Sequence, residues 1–207
     1  MTYVFYDGQF LPADQPCLTL NHRGFLFGDG VFTTMAVQNG LLEGYHCHIQ
    51  RLIKQCDKLN IKMPELSMSW ISQLIELNQA SGGRWRLKMI VTVENACNLA
   101  LPDREGKWAL LLEPVALTNK PLKVITYHKP INHALSCFKT LSYLERLYLK
   151  QYAIDLNVDD VLVTHNGHIV EGAFSSLFWV MDETIFAPHN HFALPSTTLN
   201  HIVNAAN

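Results

Sequence analysis

The segment 84–93 constrains the fold of this 207-residue chain more than any other stretch. Its residues alternate in character: Trp85, Leu87 and Met89 are apolar, whereas Arg84, Arg86 and Lys88 are basic. Because successive side chains of a β-strand point to opposite faces, this alternation predicts a strand with one apolar and one basic face. A second strand is predicted close behind it, at residues 107–112.

Strand signals also open the chain. Residues 3–6 are short and rich in aromatic side chains, and Asp7-Gly8 predicts a turn directly after them. Residues 31–37 predict a longer strand, and Asn39-Gly40 is a strong signal for a two-residue hairpin. Leu41-Leu42 is then expected to begin the return strand.

Two amphipathic helices are predicted between these strands. The first begins near His46, and its predicted apolar stripe consists of Ile49, Leu52, Ile53, Cys56 and Leu59. The second covers residues 68–79, with Ser67 as its N-cap and Gly82-Gly83 as its end.

Residues 114–121 carry two prolines and interrupt the periodicity, which predicts a linker. We therefore expect a small N-terminal α/β domain at 1–115, a linker at 116–121 and a larger C-terminal domain at 122–207. This mixture of strands and helices in two parts indicates the α+β or α/β class.

The second part has its own strand and helix signals. Predicted elements are a strand at 122–127, a helix at 143–156, hairpins at 160–170 and 177–187, and a helix from about Thr198. The hairpin turns are expected at Asn166-Gly167 and Asp182-Glu183. One face of the 143–156 helix is expected to consist of Leu144, Leu147, Tyr148 and Tyr152.

Composition excludes several classes of function. The chain is 48% hydrophobic, enough for a sizeable core, and a net charge of −2 offers no basic face for nucleic acid or an anionic membrane. No stretch approaches the roughly 18 apolar residues that span a bilayer. The first residues have no basic region before an apolar core, so we expect no secretory signal. Five irregularly spaced cysteines favour reduced thiols in a cytoplasm over disulfides or a zinc site.

A glycine-rich segment at 21–34 precedes the strand at 31–37. Three glycines surround its aromatic residues, which fits either a loop that needs positive φ angles or one wall of a ligand pocket. In the second case Phe27 and Phe32 supply the apolar surface.

His46-Cys47-His48 has the residue types of a metal site. Residues two apart on a helix point to different sides, and no acidic ligand lies nearby in sequence, so we expect no metal there. Arg51 follows three residues after His48 on the same helical side. It fits either a solvated arginine or a phosphate clamp, since a planar two-pronged cation suits phosphate.

Lys139 and Glu171 have the residue types that grip opposite ends of one electron-withdrawing ring. Lys139 lies between Phe138 and Thr140-Leu141, an apolar setting that would desolvate its amine and favour the neutral nucleophile. Glu171 precedes small, polar and aromatic residues, which suits a buried acid with hydrogen-bonding partners. A surface lysine and a carboxylate at a hairpin end are the alternative interpretations.

The segment 194–199 leads into the last predicted helix. Its hydroxyls and free backbone amides fit a helix cap and equally fit a phosphate held at the positive end of the helix. The segment alone leaves both interpretations open.

Taken in order along the chain, these stretches resemble the fold-type IV pyridoxal phosphate enzymes, which include branched-chain and D-amino-acid aminotransferases and aminodeoxychorismate lyase. The motifs that carry the resemblance are Arg23-Gly24 through Phe32, His48 with Arg51-Leu52, Lys139, residues 171–178 and the loop before the final helix. Within the family, the chain looks most like aminodeoxychorismate lyase. Thr33 stands where the aminotransferases usually have glutamate, and residues 48–52 also read like the lyase.

The resemblance implies a two-domain fold like that of D-amino-acid aminotransferase, with pyridoxal 5'-phosphate as cofactor in the C-terminal domain. It implies that Lys139 forms the Schiff base and that Glu171 pairs with the pyridine nitrogen. The other implied cofactor-binding residues are Arg51, Tyr143, Ser176, Thr197 and Thr198. Phe27, Phe32 and Thr34 would face the substrate, with Thr34 as a catalytic group, and the protein would be a cytoplasmic homodimer.

The chain departs from the family pattern at several places. Ser196 and Leu199 stand where the family usually has glycine and arginine, and residues 94–103 lack the usual arginine- and glycine-rich turn. The family continues past residue 207, so we expect the C-terminal domain to be incomplete.

The resemblance predicts a 4-amino-4-deoxychorismate lyase that releases pyruvate and 4-aminobenzoate, a folate precursor. A branched-chain or D-amino-acid aminotransferase is the alternative. A homologue that binds the cofactor without catalysis is a third.

Overall fold

The computed structural model describes residues 2–94, 99–101, 103–116, 120–128, 135–188 and 193–206. It divides into two compact units, Met1–Leu117 with Thr140–Ser142, and Thr118–Lys139 with Tyr143–Asn207. Residues 117–119 of the predicted linker lie outside the described residues, and the domain limits stay a prediction. Within the described ranges, every helix is too short or too polar to cross a bilayer.

The first unit contains a six-stranded antiparallel sheet. Its strands are β1 (Tyr3–Tyr6), β2 (Gln9–Pro12), β3 (Gly30–Gln38), β4 (Leu41–Leu42), β5 (Arg84–Val93) and β6 (Gly106–Pro114). They lie in the order β2-β1-β6-β5-β3-β4. The predicted strand at 84–93 is confirmed at both ends, and Asn39-Gly40 forms the expected turn with positive φ at both residues. Strand β2 was not predicted, because four residues are too few to show a periodic pattern.

Three helices belong to this unit: α1 (Arg23–Phe27), α2 (Tyr45–Lys58) and α3 (Met68–Leu77). Ser67 caps α3 as predicted, since its hydroxyl accepts a hydrogen bond from the Ser69 amide. The predicted end of α3 was two residues too late. The Asn78 side-chain amide donates to the carbonyl of Leu74, and Gln79 already has a positive φ.

The apolar face of β5 forms the centre of the core of this unit. Leu87 and Met89 are fully buried, and the cluster around them includes Leu52 and Cys56 of α2. The predicted stripe of α2 was wrong at Ile53, which is 47% exposed. Each residue turns a helix by about 100°, so the residue after the central Leu52 already points away from the sheet.

The second unit is built around a three-stranded sheet. Its elements are β7 (Val124–Tyr127), α4 (Leu144–Asp155), β8 (Asp160–His165), β9 (His168–Gly172), β10 (Trp179–Met181), β11 (Thr184–Phe186) and α5 (Thr197–Ala206). Strands β7 and β8 are parallel, β8 and β9 form the predicted hairpin, and β10 pairs with β11. A parallel pair needs a crossover connection, and this one carries Lys139 and α4.

The buried face of α4 differs from the predicted one. Leu149 and Ala153 are buried in the core of this unit with Tyr127 and Val161, whereas Leu144 is 79% exposed. Leu147 and Tyr148 are also exposed, and of the predicted set Tyr152 alone packs on this core. The large apolar residues of α4 misled the prediction, because the inward face is built from one leucine and one alanine four residues apart.

Candidate active site

The glycine-rich segment folds as a tight entry into β3. Gly28 ends α1 with φ +64°, and a Cβ there would lie 2.4 Å from the Ser142 hydroxyl. Gly24 lies within α1, where a Cβ would lie 2.1 Å from Oγ1 of Thr92. The loop interpretation is therefore correct for Gly28 and wrong for Gly24, which is required for close packing rather than for positive φ.

Asp29 anchors this segment from inside the first unit. Its carboxylate accepts from Nε of Arg23 at 2.7 Å and from Nη2 of Arg104, and all three side chains are largely buried. The Asp29 carbonyl accepts from the Thr92 hydroxyl at 3.0 Å. Two guanidinium groups on one buried carboxylate hold the approach to β3 in a defined position.

Phe32 and Thr34 share one face of β3, and Thr33 lies on the opposite face because side chains alternate along a strand. Phe32 is buried beneath the ammonium of Lys88, which lies 4.5 Å from its ring centroid. Lys88 is the register partner of Thr34 on β5. Burial lowers the pKa of Lys88, with Arg86 acting in the same direction and Glu113 against it.

Phe27, the other predicted pocket residue, lies at the end of α1. Its side chain is exposed, with the Arg23 guanidinium 5.2 Å from the ring centroid. The described contacts thus join Phe32 to Lys88 and Phe27 to Arg23.

Arg51 lies in a network on the helix-covered face of the same sheet. Its Nη2 donates to the hydroxyl of Thr33 at 2.9 Å, and that hydroxyl lies 2.7 Å from Nδ1 of His48. Thr33 and His48 are buried, and Arg51 is half-buried. Arg51 is therefore not the solvated arginine of the alternative interpretation.

His46 and His48 do not form a metal site with each other. His46 is exposed, whereas His48 is buried and bonded to Thr33. Among the residues that the structure describes, no group of three or more potential ligands could hold a metal ion.

Lys139 lies in the crossover before α4. It is half-buried, and its Nζ donates to the hydroxyl of Tyr143 at 3.2 Å. The Tyr143 ring in turn lies 5.9 Å from the ring of Phe174, three residues beyond Glu171. The structure thus brings Lys139 and Tyr143 together, two of the residues predicted to bind the cofactor.

Thr140, directly after Lys139, belongs to the first unit, where it bridges Val31 of β3. The Leu141 amide donates to the Gly30 carbonyl at 3.0 Å. Backbone pairing therefore restrains the chain immediately after the lysine.

Glu171 is a buried acid with hydrogen-bonding partners, as its neighbours predicted. It is 6% exposed at the end of β9, and its Oε2 accepts from the Leu194 amide at 3.2 Å. Its Oε1 accepts from Nη2 of Arg146 on α4. Arg146 was not predicted, although its place between the aromatic residues of α4 is a possible signal; its guanidinium also donates to the carbonyls of Gly172 and Ala173.

The loop before α5 acts as a helix cap. The Ser196 hydroxyl accepts from the Leu199 amide at 3.1 Å, and Leu199 is buried. Thr197 is half-buried, whereas Thr198 and Ser176 are exposed. The cap interpretation is thus confirmed for Ser196, and phosphate binding by the two threonines stays a prediction.

Comparison with solved structures identifies the class of fold. The chain superposes on a branched-chain aminotransferase from the archaeon Thermoproteus uzoniensis with a TM-score of 0.84 and 17% identity, covering 99% of this chain and 74% of that one. It superposes equally well, at 20% identity, on the PLP-bound form of a hypothetical aminotransferase from Mycobacterium tuberculosis, covering 99% and 78% of the two chains. The fold is that of the fold-type IV aminotransferases, as the resemblance predicted.

Sequence relatives lead in the same direction. D-alanine aminotransferase of Staphylococcus aureus (strain N315) is 25% identical over 218 residues, 96% of this chain and 73% of the relative. Aminodeoxychorismate lyase of Bacillus subtilis (strain 168) is 24% identical over 195 residues, 89% and 67% of the two chains. The family model for amino-transferase class IV matches residues 30–207, so the chain belongs to the class IV aminotransferase family.

The cofactor of this family is pyridoxal 5'-phosphate. The residues present fit it. The second unit holds a half-buried lysine amine and, at the end of β9, a buried carboxylate whose two oxygens retain accepting capacity beyond the bonds from Arg146 and Leu194.

Proposed function

We propose that the protein is a pyridoxal phosphate-dependent lyase that converts 4-amino-4-deoxychorismate to pyruvate and 4-aminobenzoate, a step of folate synthesis. The observation that carries this choice is Thr33, a neutral hydroxyl bonded to Arg51 and His48 where the aminotransferases of the family usually have an acid. Similarity to the Bacillus subtilis lyase supports it.

The proposal assigns the cofactor to seven residues. Lys139 holds it covalently, Glu171 accepts a hydrogen bond from its protonated ring nitrogen, and Arg51 binds its phosphate group. Tyr143, Ser176, Thr197 and Thr198 complete the binding set. When bound, the cofactor supplies an electron-withdrawing ring that stabilises negative charge on the carbon that bears the substrate amine.

Lys139 also moves a proton in this proposal. Once the substrate amine has displaced it, the free amine of Lys139 removes the proton from the amine-bearing carbon. The electron pair left on that carbon expels the enolpyruvyl oxygen from the neighbouring carbon. The ring becomes aromatic, and the released enolpyruvate takes up a proton to give pyruvate. Tyr143 receives a hydrogen bond from Nζ of Lys139 and thereby orients the amine.

The face of β3 and β5 that carries Thr34 supports an anionic substrate. Lys88 lies over Phe32 and opposite Thr34, so this face presents one cation beside an aromatic ring. Aminodeoxychorismate has a ring carboxylate and an enolpyruvyl carboxylate, whereas alanine has a single carboxylate. In this proposal Lys88 binds one of the two, Phe27 and Phe32 contact the substrate ring, and Thr34 acts as a catalytic hydroxyl.

A D-amino-acid aminotransferase is the second candidate. The observation that favours it is the 25% identity to D-alanine aminotransferase, which extends over 96% of the chain. An aminotransferase needs an amino acceptor, whereas the lyase reaction needs none, and this difference separates the two experimentally.

The test is incubation of the cofactor-loaded protein with aminodeoxychorismate, followed by measurement of 4-aminobenzoate. A parallel incubation contains D-alanine and 2-oxoglutarate, with measurement of glutamate. We expect 4-aminobenzoate without an acceptor. Glutamate alone would establish the aminotransferase, and cofactor binding without either product would establish the non-catalytic homologue.

Matched lysine variants accompany this experiment. Lys139→Ala is expected to abolish both the covalent cofactor absorbance band and 4-aminobenzoate release. Lys54→Ala, an exposed lysine on α2, is expected to preserve both. A normal absorbance band in Lys139→Ala would contradict the assignment of this lysine.

We further propose that the protein is a cytoplasmic homodimer. Support comes from the family resemblance and from the exposed apolar residues of both units, among them Phe25, Leu144 and Trp179. Sedimentation equilibrium of the cofactor-loaded protein measures the assembly directly, and a monomer at all concentrations would contradict it.

A further inference from the structure

The hydroxyl of Thr33 lies at the centre of a buried three-residue network. It accepts from Nη2 of Arg51 at 2.9 Å and lies 2.7 Å from Nδ1 of His48. Thr33 belongs to β3, and the other two residues lie three apart on α2. The network therefore joins a helix to the central sheet within one unit.

Hydrogen-bond accounting assigns the direction of each bond. Arginine has only donors, so the Thr33 oxygen must be the acceptor in its bond with Arg51. Among the described contacts, the acceptor available to the Thr33 hydroxyl hydrogen is Nδ1 of His48. His48 then accepts at Nδ1 and carries its hydrogen on Nε2, as a neutral imidazole.

A neutral network has a specific consequence for Arg51. A carboxylate in the place of Thr33 would pair with the guanidinium and cancel its charge, whereas a hydroxyl orients the same group through one N–H and leaves its charge intact. The oriented charge is then available to an anion on the other N–H groups of the guanidinium.

We infer that Thr33 and His48 are positioning residues that orient Arg51 toward the phosphate group of the cofactor. This inference rests on the proposed role of Arg51. Thr33 fixes one N–H of the guanidinium, and His48 fixes the rotation of the Thr33 hydroxyl by accepting its hydrogen. The result is a preorganised phosphate contact made by a side chain that otherwise has many rotamers.

The experiment compares binding of pyridoxal 5'-phosphate and of pyridoxal to the full chain after removal of bound cofactor. The two probes differ only in the phosphate, so the ratio of their dissociation constants isolates the phosphate contact. Thr33→Val keeps the shape of the side chain and removes the hydroxyl. We expect it to weaken pyridoxal 5'-phosphate about tenfold, the effect of one lost hydrogen bond to a charged group, and to leave pyridoxal unchanged.

Conservative variants separate positioning from general damage to the fold. Thr33→Ser retains the hydroxyl and is expected to keep the wild-type ratio, whereas His48→Phe, which removes the acceptor, is expected to reduce it in the same direction as Thr33→Val. Equal weakening of both probes would show a structural role only and would overturn the inference. An unchanged ratio in Thr33→Val would overturn it as well.

Arg51→Gln distinguishes this inference from the role on which it rests. A reduced ratio in Arg51→Gln with a wild-type ratio in Thr33→Val keeps Arg51 as the phosphate ligand and rejects positioning by Thr33. Wild-type ratios in both variants reject both. The binding measurement needs no turnover, so failure of the lyase proposal appears separately, in the assay for 4-aminobenzoate.

Discussion

Arg146 and Glu171 form a buried ion pair that joins α4 to the end of β9. Nη2 of Arg146 donates to Oε1 of Glu171, and the two side chains are 16% and 9% exposed. The same guanidinium donates to the carbonyls of Gly172 and Ala173, so one arginine satisfies three acceptors at the end of the strand. The pair holds the acid that we propose to bind the cofactor ring.

Removal of the cation alone is expected to be costly. Arg146→Met leaves the Glu171 carboxylate buried without its partner, and we expect the free energy of unfolding to fall by about 3 kcal/mol, as for other broken buried pairs. Urea unfolding followed by circular dichroism measures the change. The double variant Arg146→Met/Glu171→Gln is expected to recover part of the loss, because it carries no unpaired charge. A double variant no more stable than Arg146→Met would show that the pair is not the cause.

Gly24 is expected to tolerate no side chain. Gly24→Ala places a Cβ 2.1 Å from Oγ1 of Thr92 and 2.9 Å from Cε1 of His22, so we expect a loss of about 2 kcal/mol in the free energy of unfolding. Gly82→Ala is the matched control, since a Cβ there meets no atom within 4 Å. Thermal unfolding of both variants tests the prediction, and equal melting temperatures would contradict the observed packing.

Lys88 is expected to affect substrate binding more than turnover. Lys88→Met keeps the apolar length of the side chain but removes the cation, and we expect the KM for aminodeoxychorismate to rise about tenfold, the value of one charge-assisted hydrogen bond. Lys62→Met, a change at an exposed lysine of the same unit, is expected to leave the KM unchanged. Steady-state kinetics supply both constants. An unaltered KM in Lys88→Met would remove Lys88 from the substrate site.

Cys56 is expected to make stability depend on pH in the alkaline range. Burial raises the pKa of its thiol from 9.0 to about 12, so the folded state favours the neutral form. That contribution is complete below the pKa of the unfolded chain and is lost as the pH rises from 9 toward 12, by at most about 1.4 kcal/mol per pH unit.

The variant Cys56→Ala isolates this effect. Its unfolding free energy, measured in urea at about pH 8 and about pH 10, is expected to fall less between the two than that of the wild type. Cys47→Ala, at an exposed cysteine, is expected to follow the wild type. If Cys56→Ala and the wild type lose the same stability between these two values, the buried thiol does not titrate as the structure implies.

Local patterns were sufficient for most elements of the first unit. The alternation along β5, the Asn39-Gly40 turn and the Ser67 cap were all predicted correctly, since each depends on residues that are close together in sequence. The family resemblance likewise depends on ordered local motifs, and the match over residues 30–207 confirms it.

Predictions failed where the outcome depends on contacts between distant parts of the chain. The inward face of α4 was assigned from its large apolar residues, but Arg146, Leu149 and Ala153 face inward instead. Gly24 was interpreted through its own backbone, although Thr92, far away in sequence, determines why no side chain fits there.

Sequence alone determined the strand and helix periods, the turns and the chemical types in the candidate site, because these follow from spacing between neighbouring residues. Only the tertiary structure decided which groups pair: Arg146 with Glu171, and Thr33 with both Arg51 and His48. The physical reason is that hydrogen-bond partners and burial are set by residues brought together from separate elements, and a single chain pattern carries no record of those distances.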